Sequence, residues 1–598
     1  MKKIFLILSM MIPCSLLAGN ISPEQAQRVA EQFFAARTTR AAAPSVTLKW
    51  DGRKDATRST AAEAPFYVFD NTTGGFVIVA GEECISPILG YSTSGAFKVD
   101  GMPENISYWF DYIRQGVEYA RTSHKTTTSA VKAEWQAYIN GTTRSLAAAT
   151  SNEKLLTTAL WDQSAPYNIE ATKWCNFAEG SVFTGCVATA TSIIMRYHKH
   201  PYKGNGTLPS YNYIDKKQRS RHINGYELTT VYDWDNMLLE YKGSNYTQEQ
   251  ATAVALLMKD VGVMAGMSYG TGDTGGSGSD NDFAATGLLK YMDYDASMEK
   301  IERGLYSNDE WISRIKSSID NNCPVLFDGV SSAGGHSFVL DGYDSNNRIH
   351  INWGWSGSNN GYYTIPNFGD FRSEQHAYVN IRPNFGGTAP DAFIVMIGNM
   401  RWTNPPVLKS ADKLQITITT GMAANGSTGK FNGKIYLAHT DKNDKIKSYL
   451  ETITATNLET GIGYRYDDKT YTIDMSNLAE GDKIKWFYQL NGSDQILPAK
   501  VNSEKGLTYE LLINFDKGIY NLESLTSVEY NASEHKIYVK LKSSDISCTL
   551  LQANGSTVTS GVTAGNMTYT IDTKTLPSGT YTLRLTLNGY TKDLKLIL

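Results

Sequence analysis

The sequence has no long apolar run after its first twenty residues and no marked excess of charge of one sign. Lys and Arg together number 56 and Asp and Glu 60, which gives a formal net charge of −4. A protein that binds nucleic acid regardless of sequence needs a basic surface, so no nucleic-acid partner is expected. No stretch reaches the roughly 18 apolar residues of a membrane helix, which excludes a membrane transporter.

Cysteine is also scarce, with 6 in 598 residues. Five follow the N-terminal segment, and an odd number scattered along the chain is not a disulfide framework. There is no CxxC pair and no Cys/His cluster with the spacing of zinc ligands, so neither a metal nor another cofactor is predicted. At least one thiol is then free, and in an exported protein a free thiol needs a reason. The five are Cys84, Cys175, Cys186, Cys323 and Cys548.

Export is indicated by residues 1–19, which have the features of a signal peptide. Lys2 and Lys3 supply the positive charge, Ile4–Ile12 the apolar core and Leu16–Gly19 a cleavage zone. The apolar run is too short to span a bilayer, although an N-terminal anchor is an alternative. We expect a protein that is secreted or held at the cell surface or in the periplasm.

A small α+β domain is predicted at residues 20–145. Residues 22–37 and 106–120 have helical periodicity. Residues 66–69 and 76–80 are strand-like and are joined by a hairpin connection.

Residues 121–150 are rich in Thr, Ser and Ala and predict an exposed linker that proteases can reach. A larger domain follows at 146–385, where helices, strands and glycine-rich loops mix. It contains all the candidate chemistry. From about residue 388 the sequence alternates with period two between turn residues, which predicts antiparallel β-sandwich modules at 386–515 and 516–598.

Cys186 is the candidate nucleophile. Apolar residues recur after it at helical spacing as far as about Lys199, so Cys186 is predicted at or near the start of a helix that Thr184 or Gly185 caps. The partial positive charge of a helix N-terminus favours a thiolate over a thiol. The alternative is a small buried core residue, which is the role of most free cysteines.

His336 is the candidate base. It follows Gly334 and Gly335, which let other backbone approach closely, and it begins a short apolar strand at the rim of a sheet. It lies 150 residues after Cys186, at the upper end of the span of about 130–150 residues that papain-like enzymes show. The alternative is a structural histidine.

Asn352 is the candidate orienter of the imidazole. It follows His336 by 16 residues, so a short hairpin could bring it beside the ring, where its amide oxygen would accept the ring N–H and fix the tautomer. Asp341 is the rival, but in a regular strand it faces away from His336. Trp353 and Trp355 are predicted to wall the site, with ordinary core packing as the alternative.

Gln163, upstream of the cysteine, has an amide suited to stabilise a developing oxyanion together with the Cys186 backbone N–H. The segment Gly270–Gly278 is rich in glycine but lacks the arrangement of a phosphate-binding loop. It is therefore predicted to be a mobile loop on the substrate side. The candidate substrate-binding residues are Tyr269, Gly334 and Gly335.

Gln163, Cys186, His336 and the pair Asn352–Trp353 occur in the order of the papain superfamily. The finer resemblance is to the streptopain/interpain family of secreted bacterial cysteine peptidases, and it covers residues 20–385. The papain-like Cys-Gly-Ser-Cys-Trp signature is absent, which fits the bacterial branch better. The segments that carry the resemblance are Trp161–Asn168, Met195–Pro201, Val261–Gly278, Asn352–Tyr363 and Gly75–Ser92, the last of which resembles the inhibitory propeptide.

The resemblance implies an α+β fold for residues 20–385, in which an α+β propeptide precedes a papain-like catalytic domain. It does not explain the C-terminal region, where the alternation alone predicts the β-sandwich modules that complete the expected α+β chain. It implies a secreted cysteine endopeptidase made as a self-processing zymogen, whose own propeptide is its inhibitor. Proteins and peptides would be the substrates, and Cys186 and His336 the catalytic pair. Asn352, Gln163 and Trp353 would complete the catalytic set.

Two other interpretations stay open. One is a non-catalytic surface or adhesion protein whose β modules bind host protein or glycan. The other is an acyl- or amide-transferring enzyme with the same Cys–His pair. The segment that begins at Leu576 faintly resembles C-terminal secretion-sorting modules of Gram-negative bacteria, and a plain adhesion or stability module is the alternative.

Overall fold

The computed structural model forms two compact units, Met1–Pro390 and Asp391–Leu598. None of the helices it describes is long and apolar enough to cross a bilayer. Residues 1–18 of the predicted signal peptide lie outside the described residues. The structure describes residues 19–37, 45–53, 63–123, 126–142, 153–331, 334–365, 375–410, 412–502, 506–513, 526–531, 533–541, 546–565, 567–587 and 590–598.

The first unit contains both helices and strands. Its α-helices are α1 (Pro23–Arg37), α2 (Glu104–Thr122), α3 (Ser129–Ile139), α4 (Ile169–Cys175), α5 (Cys186–His198), α6 (Gln248–Met264), α7 (Asn281–Tyr291) and α8 (Asn308–Asp320). Its strands are β1 (Val46–Trp50), β2 (Phe66–Asn71), β3 (Phe76–Ala80), β4 (Ile88–Ser92), β5 (Lys154–Leu155), β6 (Thr207–Leu208), β7 (Tyr211–Ile214), β8 (Ser220–Ile223), β9 (Tyr226–Glu227), β10 (Glu299–Glu302), β11 (Val325–Ser331), β12 (Gly334–Tyr343), β13 (Ile349–Asn352), β14 (Gly361–Tyr363) and β15 (Gln375–Val379).

An antiparallel sheet of 11 strands runs through this unit in the order β1-β2-β3-β4-β14-β13-β12-β11-β15-β10, with β5 beside β12. Its first four strands belong to the predicted propeptide and the others to the predicted catalytic domain. The two sets meet where Tyr362 of β14 pairs with Tyr91 of β4. The α+β fold class is confirmed, whereas the boundaries of the predicted domains stay predictions.

The sheet separates two apolar clusters. One includes α1, α2, α3 and α8 together with Phe338 of β12. The other includes α4, α5, α6 and α7, packed against Leu326, Val339 and Tyr378 from the sheet. Phe338 and Val339 are neighbours on β12 and point to opposite faces, as alternation along a strand requires. Since α5 packs against β12, the helix that begins at Cys186 is held on the strand that carries the candidate base.

The helices and strands predicted near the N-terminus are confirmed. α1 begins after Ser22, whose hydroxyl oxygen accepts the N–H of Gln25 at 3.2 Å. β2 and β3 form the predicted hairpin, with Phe66 opposite Ala80. The helix predicted over 106–120 is α2.

The prediction of an exposed linker over 121–150 is wrong for Ser129–Ile139, which form α3. Thr128 caps this helix, and its side chain accepts the N–H of Val131. Trp135 and Tyr138 are buried against the rest of the N-terminal region. Two buried aromatic side chains thus fix a helix in a stretch whose composition is typical of a linker.

Gly185 is the cap of α5, and its φ of 85° and ψ of 151° form a conformation that is essentially restricted to glycine. A Cβ at this position would lie 2.7 Å from Sδ of Met267 and 3.1 Å from the carbonyl oxygen of Ser277. Of the two predicted caps, Gly185 is therefore the one observed. The hydroxyl of Thr184 instead bonds that of Thr189 at 2.9 Å.

The described part of the second unit consists of β-strands, as predicted from its period-two alternation, together with a short 3-10 helix at Met475–Asn477. The expected boundary between its two modules, at 515 and 516, falls in residues 514–525, outside the described residues. The strands are β16 (Ile394–Ile397), β17 (Arg401–Ser410), β18 (Lys413–Thr419), β19 (Met422–Asn425), β20 (Phe431–Thr440), β21 (Ile446–Leu458), β22 (Gly463–Arg465), β23 (Lys469–Asp474), β24 (Lys483–Leu490), β25 (Leu497–Pro498), β26 (Lys500–Val501), β27 (Leu511–Leu512), β28 (Thr526–Asn531), β29 (Lys536–Leu541), β30 (Ser547–Gln552), β31 (Val562–Gly565), β32 (Thr568–Asp572), β33 (Thr580–Leu587) and β34 (Tyr590–Ile597).

Replacing Gly185 with Ala is expected to lower the free energy of unfolding by about 1–3 kcal/mol, because alanine would have to adopt a conformation that only glycine tolerates. Gly272→Ala is the matched control, since an added Cβ there meets no other atom within 4 Å. Denaturant unfolding of the two purified variants measures the difference. Equal midpoints for Gly185→Ala and the wild type would contradict the expectation.

Candidate active site

Cys186, His336 and Gln163 line one cavity of about 570 Å³. Three elements that are distant in sequence meet there, namely the first turn of α5, the start of β12 and the loop before α4. The structure therefore brings the predicted nucleophile, base and oxyanion donor to the same cavity. The catalytic roles of these side chains stay predictions.

Hydrogen bonds join the start of α5 to the loop that carries Gln163. The N–H of Thr184 donates to the carbonyl oxygen of Gln163 at 3.1 Å. Within the start of α5, the hydroxyl of Thr189 donates to the carbonyl oxygen of Gly185 at 2.9 Å. The backbone N–H of Cys186 belongs to the first turn, where N–H groups point out of the helix. This arrangement is suited to an oxyanion that Gln163 would also contact.

Asp162 ties the same loop to the turn that carries Trp355. Its Oδ1 accepts the N–H of Gln163 at 2.6 Å, and its Oδ2 accepts the hydroxyl of Ser356 at 2.9 Å. The N–H of Ser356 donates to the carbonyl oxygen of Trp161 at 3.0 Å. Trp355 lines the cavity, so these bonds hold Gln163 and the indole at one site.

His336 is the third residue of β12 and is 8% exposed. It lies opposite Gly329 in the ladder between β12 and β11. That ladder continues without interruption to Leu340, which pairs with Val325. The backbone position of the candidate base is thus set by regular strand pairing.

Asn352 is the last residue of β13 and is 1% exposed. Its Nδ2 donates to Oγ1 of Thr158 and to the carbonyl oxygen of Ala159, both at 2.9 Å. Its Oδ1 accepts the N–H of Gly354 at 3.2 Å. These are the bonds that the structure assigns to the carboxamide, and the predicted orientation of His336 by Asn352 stays a prediction.

Trp353 packs against other aromatic rings and is not one of the residues that line the cavity. Its ring centroid lies 4.8 Å from that of Phe338 and 5.4 Å from that of Tyr363. Its indole N–H donates to the carbonyl oxygen of Asn359 at 3.0 Å. The wall that was expected from both tryptophans is contributed by Trp355, and a catalytic role for Trp353 stays a prediction.

Two of the three residues expected to bind substrate line the cavity, Gly335 and Tyr269. The Tyr269 side chain is 2% exposed and packs against Gly262, where a Cβ would lie 2.2 Å from the tyrosine oxygen. Gly334 is the first residue of β12. Their contacts with substrate stay predictions.

The hairpin of β7 and β8 contributes another part of the cavity wall through residues such as Asp215. Burial acts to raise the pKa of Asp215, but hydrogen bonds from Arg219 and Arg221 outweigh it and lower the pKa to about 2. Nζ of Lys217 lies 2.9 Å from Oδ2 of Asp273 in the glycine-rich loop. An ionic contact thus links the hairpin to the loop.

Hydrogen bonds join the glycine-rich loop to the segment just before Cys186, and the mobility expected of this loop stays a prediction. The N–H of Gly270 donates to Oγ of Ser277 at 2.8 Å, and this hydroxyl donates to the carbonyl oxygen of Phe183 at 2.6 Å. The N–H of Phe183 donates to the carbonyl oxygen of Gly270 at 3.0 Å. The substrate-side loop and the segment just before Cys186 therefore share one framework.

Met102 and Pro103, from the N-terminal region, line the same cavity. Pro103 is the cap of α2, and its carbonyl oxygen accepts the N–H of Ile106 at 3.1 Å and that of Ser107 at 2.9 Å. The start of a helix thus holds both residues in the wall of the cavity that Cys186 also lines. The sequence offers no signal for this, because an extended segment before a helix has no periodicity.

Thr158 and Asp162 are further site residues that sequence reasoning missed. Each makes its contact with a residue 194 positions away, and no local pattern reports such a distant partner. For Asp162 the available signal was its position beside Gln163. Thr158 had no signal.

Three family models match different parts of the chain. Residues 161–363 match the peptidase C10 family, and residues 18–117 match the Spi protease inhibitor family. Residues 531–598 match a secretion system C-terminal sorting domain. The predicted export and the resemblance of the C-terminal segment to sorting modules are confirmed.

The proteins to which the chain is similar include two curated proteins and one solved structure. Streptopain of Streptococcus pyogenes serotype M1 is 34% identical over 340 residues, which cover 53% of this chain and 80% of streptopain. The thiol protease/hemagglutinin PrtT of Porphyromonas gingivalis is 28% identical over 423 residues, which cover 67% of this chain and 46% of PrtT. A solved fragment of Prevotella intermedia prointerpain A is 29% identical with a TM-score of 0.44, and the match covers 56% of this chain and 99% of the fragment.

The match to streptopain covers four-fifths of that protein. The match to the inhibitor family precedes the match to the peptidase family in the sequence, and the candidate active site lies in the second. The resemblance found from the motifs is thereby confirmed. The chain belongs to the peptidase C10 family, and it is an exported cysteine peptidase made as a zymogen with an inhibitor-like N-terminal region.

Proposed function

We propose that the chain is the zymogen of an endopeptidase that processes itself, with Cys186 as nucleophile and His336 as general acid and base. The observation that carries this proposal is the cavity that these two side chains line together with Gln163. Family membership supports peptide-bond hydrolysis by a thiol. Among the described cysteines, Cys186 is the one that lines this cavity.

The surroundings of the other thiols favour this choice. Burial raises the pKa of Cys175 and that of Cys548 to about 12, and it also raises the pKa of Cys323. Such groups stay protonated at neutral pH, whereas the nucleophile must be a thiolate. Cys84 is buried in the N-terminal region.

In the active enzyme the thiolate of Cys186 attacks the carbonyl carbon of a peptide bond. The negative charge that develops on the carbonyl oxygen is stabilised by the Cys186 N–H and the Gln163 amide. His336 protonates the leaving amine and then accepts a proton from the water that hydrolyses the thioester. Asn352 orients the imidazole through its amide oxygen.

The N-terminal region inhibits the enzyme by remaining docked on the peptidase part. The hydroxyl of Tyr91 in β4 donates to Asp344 at 3.2 Å. The indole N–H of Trp109 donates to the carbonyl oxygen of Thr364 at 3.2 Å, and its ring centroid lies 4.8 Å from that of Tyr363. These contacts support inhibition of the zymogen by its own N-terminal region.

Met102 and Pro103, which line the substrate cleft, would keep a substrate out of it, and we call these two residues the plug. Proline fixes its own φ and lacks an N–H, so the bond between the two residues lacks the backbone donor of an ordinary peptide substrate. The start of α2 holds the segment in place. Met102 and Pro103 line the cleft, and we expect the bond between them to be a poor substrate.

Cys186→Ala is expected to abolish hydrolysis of a denatured protein substrate and to leave the precursor uncleaved near residues 121–152, because the only proposed nucleophile is lost. Intact-mass analysis and N-terminal sequencing of the secreted protein measure the outcome. Cys175→Ala serves as control and should process normally. A Cys186→Ala protein that still matures by itself would exclude the assignment.

Alkylation distinguishes the thiols in the processed enzyme. At pH 6 iodoacetamide is expected to modify Cys186 more than about tenfold faster than the other thiols, because only a thiolate reacts and the buried thiols remain protonated. Since its pKa is raised to about 12, Cys175 should become reactive only as the pH rises towards that value. Peptide mapping quantifies each site, and equal labelling of Cys175 and Cys186 at pH 6 would oppose the proposal.

Pro103→Ala is expected to convert the plug into a substrate, so that the precursor is cut after Met102 and latency is lost. Alanine supplies the missing N–H and leaves φ free. Mass spectrometry of the precursor detects the new terminus. The double variant with Cys186→Ala is the control and should stay intact at this bond. An unchanged cleavage pattern and latency in Pro103→Ala would refute the plug.

A further inference from the structure

Asn352 is hydrogen-bonded to a chain of buried polar side chains. The mechanism above does not use this chain. We propose that Thr158 and Asp341 are positioning residues that fix the orientation of the Asn352 carboxamide. This inference rests on the proposed function, since it concerns the group that orients the imidazole. It assigns a role to two residues that have no contact with the substrate in the mechanism.

The contacts are short and the groups are buried. Nδ2 of Asn352 donates to Oγ1 of Thr158 at 2.9 Å, and this hydroxyl donates to Oδ2 of Asp341 at 2.5 Å. The other oxygen of Asp341 lies 2.5 Å from Nδ1 of His350. Asn352, Thr158 and Asp341 are 1%, 7% and 2% exposed, so water does not compete for these bonds.

The direction of each bond follows from the chemistry of the groups. A carboxylate only accepts hydrogen bonds, and a threonine hydroxyl has a single hydrogen. Because that hydrogen is directed to Asp341, Thr158 can only accept from the amide. The amide edge that faces Thr158 must therefore be the NH2 group.

A second acceptor and a donor enforce the same orientation. Nδ2 of Asn352 also donates to the carbonyl oxygen of Ala159, and Oδ1 accepts the N–H of Gly354. A flipped carboxamide would place its oxygen against two acceptors and its NH2 group against a donor. The network thus presents the amide oxygen on the side away from Thr158, and an imidazole N–H requires an oxygen acceptor.

The backbone explains how Asp341 reaches Thr158. The ladder between β12 and β13 shifts between Leu340 and Gly342, so Asp341 is the extra residue of a β-bulge. Bulges redirect a side chain and occur next to active sites. The carbonyl oxygen of Asp341 accepts the N–H of Leu156 at 2.7 Å. This bond places the segment that contains Thr158 next to β12. Asp341 was rejected from the sequence as the orienter of His336 because a regular strand was assumed. The bulge shows that the strand is not regular at Asp341.

The test uses the processed enzyme with Thr158→Val, which removes the hydroxyl and keeps the shape. We expect kcat to fall, by up to about 100-fold for a misplaced catalytic group, with KM little changed. Thr158→Ser should restore most of kcat. Thr191→Val is the matched control, because Thr191 is buried in α5 and its hydroxyl has no hydrogen-bond partner among the described residues.

A double-mutant cycle separates positioning from a general loss of packing. If Thr158 acts through Asn352, Thr158→Val should cost little further activity in an Asn352→Ala background. Additive losses, or wild-type kcat in Thr158→Val, would overturn the proposal. The rate of Cys186 alkylation at pH 6 in the wild type tests the proposed nucleophile separately, so failure of the proposed function is distinguishable from failure of the positioning role.

Discussion

The pairing of β12 with β11 on one side and with β13 on the other is the constraint on which the active site depends. β12 carries His336 near its start, and α5 packs against the same strand with Cys186 at its first position. The thiol and the imidazole thus share a cavity through one helix–sheet contact. The sequence around either residue contains nothing that specifies this contact by itself.

Much of the fold could be predicted because it depends on local periodicity. The apolar spacing after Cys186 and the alternation of β24 are such patterns, and both elements are present. α3 was missed although Val131, Trp135 and Tyr138 recur at helical spacing and pack against the core, because the Thr, Ser and Ala around this short stripe are typical of a linker. Its stability comes from tertiary contacts such as the indole N–H of Trp135, which donates to the carbonyl oxygen of Ile85 at 2.8 Å.

The sequence allowed the candidate site to be predicted where side chains of recognisable chemistry follow one another in a known order. Cys186, His336 and Gln163 were identified in this way. The hydrogen-bond partners of Asn352 could not be predicted. They depend on a bulge at Asp341, which breaks the regular alternation assumed for this strand. A bulge is a single inserted residue, and a short strand gives no signal for its position.

The strand pairing between β4 and β14 has a consequence for the timing of activation. The proposed cut between the N-terminal region and the peptidase part would break a covalent bond, but the ladder and the buried aromatic contacts would remain. The severed N-terminal piece then becomes a separate ligand, whose occupancy depends on concentration, whereas before the cut it was held at a high effective concentration. The cleaved enzyme of the proposed mechanism should therefore stay latent while the N-terminal piece remains concentrated and become active on dilution.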